Sequence, residues 1–144
     1  MKRTLKQQYA SVAFTFVEEV KNTNKQKLQK DYLSRVKKLP SMITHNGLLT
    51  TLTFLFAKSK GNLENNADGV ILKQLVCFLT NCSNQGGNIK SCSCNNVDVC
   101  QFIRDLAETD FKRLILHTKR ALELSQWLKR LAEGIFKEDS SNEG

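Results

Sequence analysis

The sequence predicts an all-α fold, a single-domain bundle of about six helices with a long C-terminal helix. Three observations carry that prediction. Apolar residues recur at spacings of three and four along most of the chain, no segment alternates with the two-residue period of a strand, and short Gly/Asn/Ser/Thr breaks separate the periodic runs. At 144 residues, 40% hydrophobic and 25% charged, residues 1–144 are long enough for one core and are read as one domain.

The helices follow in order. Thr4-x-x-Gln7 fits a capping box, and Leu5, Tyr9, Val12, Phe16 and Val20 then share one stripe of a first helix ending near Asn22. Thr23-x-x-Gln26 repeats that signal for a second helix, which turns Leu28, Tyr32, Val36 and Leu39 to the core and lets Asp31 pair with Lys27 and Arg35. Pro40, the only proline, has no N–H and disfavours helix at the residue before it, so a stop or bend is expected at Leu39, with cations massed at the resulting corner. Asn46-Gly47 supplies a second break. A third helix carries Leu48, Leu52, Leu55 and Phe56 until Gly61, which can leave in a left-handed conformation.

After a polar turn over 61–66, Ala67, Val70, Ile71, Leu75, Phe78 and Leu79 describe a central fourth helix. A fifth, over 97–108, points Val99, Ile103 and Leu106 inward. The last begins near Asp110 and runs to about Phe136, carrying Phe111, Leu114, Ile115, Leu122, Leu128, Leu131 and Ile135. At 1.5 Å per residue it spans roughly 40 Å. The acidic, polar residues 137–144 read as a frayed tail.

Charge is unevenly distributed. Residues 1–60 hold twelve Lys/Arg and three acids, net +9, whereas residues 61–144 hold ten and eleven, net −1. That asymmetry points to a polyanionic partner, nucleic acid before anionic membrane, the bland alternative being a solvated basic face. No segment approaches the roughly 18 apolar residues of a membrane span, and the start Met1-Lys2-Arg3 is not followed by a continuous apolar run, so a cytoplasmic location is expected. Arg35, Lys37, Lys38 and Lys58 are the candidate phosphate contacts, because lysines read phosphate by charge without reading sequence.

Catalytic patterns are missing. His45 and His117, the only histidines, lie far apart without a carboxylate or Cys at ligand spacing; His45 is read as part of a turn and His117 as a helix-surface residue. There is no nucleophile elbow and no glycine-rich phosphate cradle, and Glu18-Glu19 occupy adjacent helical positions that point about 100° apart. No enzyme activity, metal or cofactor is expected. Trp127, beside Lys129 and Arg130, either stacks on a base or belongs to the core or a subunit interface, and interface is the favoured reading.

The cysteines are the unexplained feature. Cys77, Cys82, Cys92, Cys94 and Cys100 fall within 24 residues around a Cys/Asn/Gly-rich loop over 81–96, and their spacings do not match a paired C-x-x-C knuckle. Cys77 and Cys100 read as small apolar residues on core faces, and the loop thiols as free or joined in one disulfide, such as Cys82 with Cys92 or Cys94. A zinc or iron–sulfur site is the sharper alternative.

The run Val36-Lys37-Lys38-Leu39-Pro40-Ser41-Met42-Ile43, then Asn46-Gly47-Leu48 and Thr51-Leu52-Thr53-Phe54 ending in Lys58, resembles the small helical subunit of the Cmr/RAMP module of the type III-B CRISPR-Cas RNA-targeting effector complex. Ala121-Leu122-Glu123-Leu124 and Trp127 to Gly134 are similar to that family's closing helix, and the likeness extends from about Thr4 to Phe136, the loop over 81–96 excepted. The resemblance implies a non-catalytic RNA-binding and assembly subunit. Its partners would be backbone and large subunits of the complex, further copies of itself stacked head to tail, and the guide RNA–target RNA duplex, cleavage belonging to the neighbouring backbone subunit. The alternative from another class is a stand-alone helical nucleic-acid-binding protein or thiol/metal-based sensor using the cysteine loop.

Overall fold

The computed structural model describes residues 4–82 and 98–136, with the side chains of residues 81 and 82 excepted. Six α-helices follow in order: α1 Leu5–Asn22, α2 Gln26–Asn46, α3 Leu48–Ser59, α4 Ala67–Cys77, α5 Val99–Glu108 and α6 Phe111–Ile135. A π-helical turn, Phe78–Cys82, prolongs α4. Among the described residues there is no strand. The fold is all-α with a long closing helix.

Local sequence explains several boundaries. The capping box of α1 forms as expected, with the Gln7 amide donating to Thr4 Oγ1 at 3.1 Å and the Thr4 amide to Gln7 Oε1 at 2.8 Å. Its expected repeat at Thr23 does not form. Thr23 instead closes α1, its hydroxyl donating to the Val20 carbonyl at 2.7 Å, and left-handed Asn24 (φ 59°) makes the turn before α2 starts. Asp98 and Asp110 cap α5 and α6 by accepting from the amides of Gln101 and Arg113.

The largest correction concerns Pro40. The chain does not stop or bend into a corner at Leu39, because α2 continues through the proline to Asn46. A proline inside a helix costs about 3 kcal/mol. Leu39 and Ile43 on either side are buried to 1% exposure or less, each contributing about 1.5–3 kcal/mol, so the continuous apolar stripe Leu28, Tyr32, Val36, Leu39, Ile43 outweighs the lost bond. The chain turns at Gly47 instead, whose φ of 86° few other residues adopt; its amide donates to the Ile43 carbonyl at 2.9 Å and its carbonyl accepts from Thr51 Oγ1 at 2.8 Å.

The core lies where α6 packs along α1 and α2, with α4 wedged between α2 and α3. Tyr32, Phe16 and Phe78 are its largest fully buried members; the Tyr9 and Phe78 rings lie 5.3 Å apart, and Phe136 meets Tyr32 edge-on. A buried polar chain ties three helices together. Tyr32 Oη donates to Gln74 Oε1 at 2.6 Å, and Gln74 Nε2 donates to the Phe16 carbonyl at 3.1 Å. Four residues expected inward are exposed: Leu5, Phe56, Phe111 (73%) and Ile115. Phe56 sits outside the Leu48/Leu52/Leu55 stripe, and every fully buried residue of α6 lies at Ala121 or later, so in its first turns only one side, with Leu114, reaches the core. Ile103, also expected inward, is half-buried.

Candidate nucleic-acid interface

The turn between α3 and α4 is held by asparagines. Asn62 Oδ1 accepts the amides of Glu64 and Asn65, Asn66 caps α4 by accepting the Gly69 amide at 3.0 Å, and Asn66 Nδ2 donates to the Lys58 carbonyl at 3.2 Å. The turn passes so close to α4 that a Cβ on Gly69 would lie 2.0 Å from the Asn62 carbonyl oxygen. This fixed turn and the outer face of α2 enclose an open groove of about 440 Å³, where Lys25, Lys27, Arg35 and Lys38 face Asp31, Asn66 and Asp68.

Arg35 is the hinge pin of the groove. Its Nε donates to Asp68 Oδ1 at 2.7 Å, with both side chains mostly out of solvent, and its guanidinium lies 5.0 Å from the centre of the Phe54 ring. Lys58 Nζ lies 5.6 Å from the same ring. One aromatic side chain on α3 thereby gathers a cation from α2 and a cation from α3. Asp31 does not pair with Arg35; its partner is Lys27, at 3.0 Å on the open surface, where such a pair is worth little. Lys25 bonds the Asn65 side chain. Lys38 and Lys58 are exposed, whereas Lys37 is half-buried, engaged by an interaction of its own and about 100° round α2 from Lys38.

Of the four candidate phosphate contacts, the structure therefore groups Arg35, Lys38 and Lys58 and separates Lys37. They are gathered by Phe54 and the asparagine turn, not by a corner at Pro40. Phe54, Asn66 and Asp68 escaped the sequence reading. The Asx-turn chemistry of 62–66 was a usable signal, but nothing local marks Phe54 or Asp68 as partners of Arg35.

The remaining candidates fall elsewhere. Trp127 is half-buried on α6, donates from Nε1 to Glu123 Oε2 at 3.1 Å, and has the Arg130 guanidinium 5.7 Å above its ring; Lys129 is half-buried beside them. His45 closes α2, its Nδ1 2.9 Å from the Ser41 carbonyl oxygen. His117 is half-buried on its helix: it packs edge-on against Phe102 at 5.5 Å, and its Nδ1 is buried without a hydrogen-bond partner. Burial, and then the nearby Arg113 and Arg120, push its ionisation below the ordinary imidazole range. Cys77 is fully buried and disulfide-bonded, so it is more than apolar filling, and Cys100 is exposed with a free thiol instead of lying on a core face. Cys92, Cys94 and the side chain of Cys82 lie outside the described residues. Among the described residues no group of three or more His, Cys, Asp or Glu side chains could hold a metal ion, and no helix is long and apolar enough to cross a membrane.

The model of the family "CRISPR-associated protein (Cas_Cmr5)" matches residues 5–135, from the first residue of α1 to the last of α6. The chain belongs to the Cmr5 family. One curated relative is the CRISPR system Cmr subunit Cmr5 of Thermotoga maritima, 32% identical over 137 residues, which cover 93% of this chain and 86% of the relative. The Cmr5 match bears out the resemblance to the small helical subunit of the type III-B CRISPR module, and it also spans the cysteine-rich segment.

Proposed function

We propose that this chain is a non-catalytic, cytoplasmic RNA-binding and assembly subunit of a type III-B CRISPR effector complex. It sits beside backbone subunits and further copies of itself and contacts the phosphates of the guide–target duplex. The observation that supports this most is the clustering of Lys25, Lys27, Arg35 and Lys38 around one groove lined by two acids, Asp31 and Asp68, with Lys58 drawn to its side through the Phe54 ring that Arg35 also covers. Lysines on a solvated face neutralise phosphates without reading bases, which is what a subunit lying along a guide-defined duplex requires. Asp68 holds Arg35 in place, so Arg35 acts as a fixed positive wall, with exposed Lys38 beside it and Lys58 resting over Phe54.

The test is binding of the purified chain to unstructured RNA across a salt series. The expected result is weak, sequence-independent affinity that falls steeply with salt, and Lys38→Ala with Lys58→Ala lowers the slope of log affinity against log salt by about 1.4. A flat salt response, or a double variant indistinguishable from the parent, refutes this reading of the groove. Incubation with RNA and Mg²⁺ or Mn²⁺ leaves the RNA intact; cleavage that co-purifies and vanishes on changing one acidic residue refutes the non-catalytic assignment.

A further inference from the structure

Dividing the charge at residue 60 hides a second basic element. Helix α6 carries Lys112, Arg113, Lys119, Arg120, Lys129 and Arg130 against Glu123 and Glu133, a net +4, because the acids that offset it lie on other segments. Its first turns also hold the most exposed large apolar side chain among the described residues, Phe111 at 73%, with Ile115 and Leu116 also exposed. Where these turns meet the start of α1, a groove of about 410 Å³ opens, with Leu5, Tyr9 and Leu116 as its floor and Lys6, Lys119, Arg120 and Glu123 around it. The acids nearby each hold a neutral donor, Asp110 the Arg113 amide at 2.8 Å and Glu123 the Trp127 indole at 3.1 Å, and cations still outnumber the single acid lining the groove. Among the described residues, none of Lys6, Lys112, Arg113, Lys119 or Arg120 has an ion-pair partner.

We propose that this face, the first half of α6 with the start of α1, is a contact for single-stranded RNA separate from the α2 groove. Phe111 offers a base-stacking surface, and Lys112 and Lys119, seven residues apart and on one side of the helix beside it, hold the backbone. The inference rests on the reading that the chain contacts RNA, and adds a second place and a second mode. Phe111 and Lys119 lie about 12 Å apart along the helix, so one short strand can engage both. Such grooves combine a cationic track with exposed rings. Protein interfaces are depleted of lysine, so exposed Lys112 and Lys119 on the same turns as an open phenyl ring favour a nucleic-acid occupant over an acidic protein surface. The α2 groove differs chemically: its ring, Phe54, is already covered by Arg35 and Lys58 and is not open to a base.

The experiment measures anisotropy of a fluorescein-labelled oligouridylate with the full chain across a salt series. Lys112→Ala with Lys119→Ala is expected to lower the salt slope by about 1.4, whereas Phe111→Ala weakens binding roughly tenfold and leaves the slope unchanged, since stacking releases no counterions. All three side chains are exposed, and circular dichroism checks that the variants stay helical. Unchanged binding in the α6 variants, with loss in Lys38→Ala/Lys58→Ala, overturns this inference and leaves the proposed function standing. Loss in the α6 variants alone supports it and moves the phosphate contact away from the α2 groove. No binding by the parent chain overturns both. If the α6 variants bind RNA normally but no longer enter the assembled complex, the face docks a protein and the inference is wrong.

Discussion

Changing Tyr32 to Phe removes one oxygen from the centre of the bundle, and its cost follows from what is left behind. Tyr32 is fully buried and its hydroxyl is the donor to Gln74 Oε1 at 2.6 Å; Gln74 is itself 4% exposed, and its Nε2 still holds the Phe16 carbonyl after the substitution. The amide oxygen is then stranded in a dry site, at about 1–3 kcal/mol. At about 2–4 °C per kcal/mol for a domain near this size, thermal unfolding followed by circular dichroism should show a melting temperature lower by roughly 2–12 °C. Gln74→Leu strands the Tyr32 hydroxyl and also removes the bond to the Phe16 carbonyl, so it costs at least as much. The double variant removes both partners, so its loss falls short of the sum of the singles by about 0.5–3 kcal/mol. The phenol adds a pH signature. Burial holds it protonated well above its ordinary value of 10.0, so the stabilisation is complete below pH 10 and drains away as pH rises beyond it, because only the unfolded phenol ionises there. Tyr32→Phe lacks that alkaline loss, and the gap between parent and variant narrows above pH 10. A Tyr32→Phe protein as stable as its parent, or singles that add fully, refutes the three-helix polar tie.

Two further outcomes follow from single close contacts. Gly69→Ala forces a methyl to within 2.0 Å of the Asn62 carbonyl oxygen, so the α3–α4 turn must shift; we expect a loss of about 1–3 kcal/mol in denaturant unfolding together with weaker RNA binding through the displaced groove, and a melting curve superimposable on the parent's refutes the contact. His117, with Nδ1 buried beside Arg113 and Arg120, ionises below 6.5 in the folded chain, so its stabilisation is present above 6.5 and lost as pH falls toward and through the lowered folded value. An NMR titration of the imidazole should place its midpoint below 6.5, and His117→Leu should flatten the acid limb of stability; a midpoint at or above 6.5 contradicts the packing against Phe102.

What the sequence determined by itself was whatever depends on neighbours along the chain. The box at Thr4, the end of α1 near Asn22, the start of α6 at Asp110 and the central character of α4 were legible, because caps and helical periodicity act within a turn or two. The basic character of the first three helices was equally plain. What only the tertiary structure decided was which local preference lost. Pro40 carries a strong signal to break, yet α2 runs on because Leu39 and Ile43 find a core supplied by other helices. Phe111 and Ile115 have helical spacing like Leu128, yet no partner helix covers them, so identical periodicity ends in solvent. Arg35 was legible as a cation and Asp31 as its local partner, but Asp68, 33 residues away, sits closer in space and takes the pairing. Burial and pairing across such separations are decided by where helices cross, and no residue carries that in its own neighbourhood.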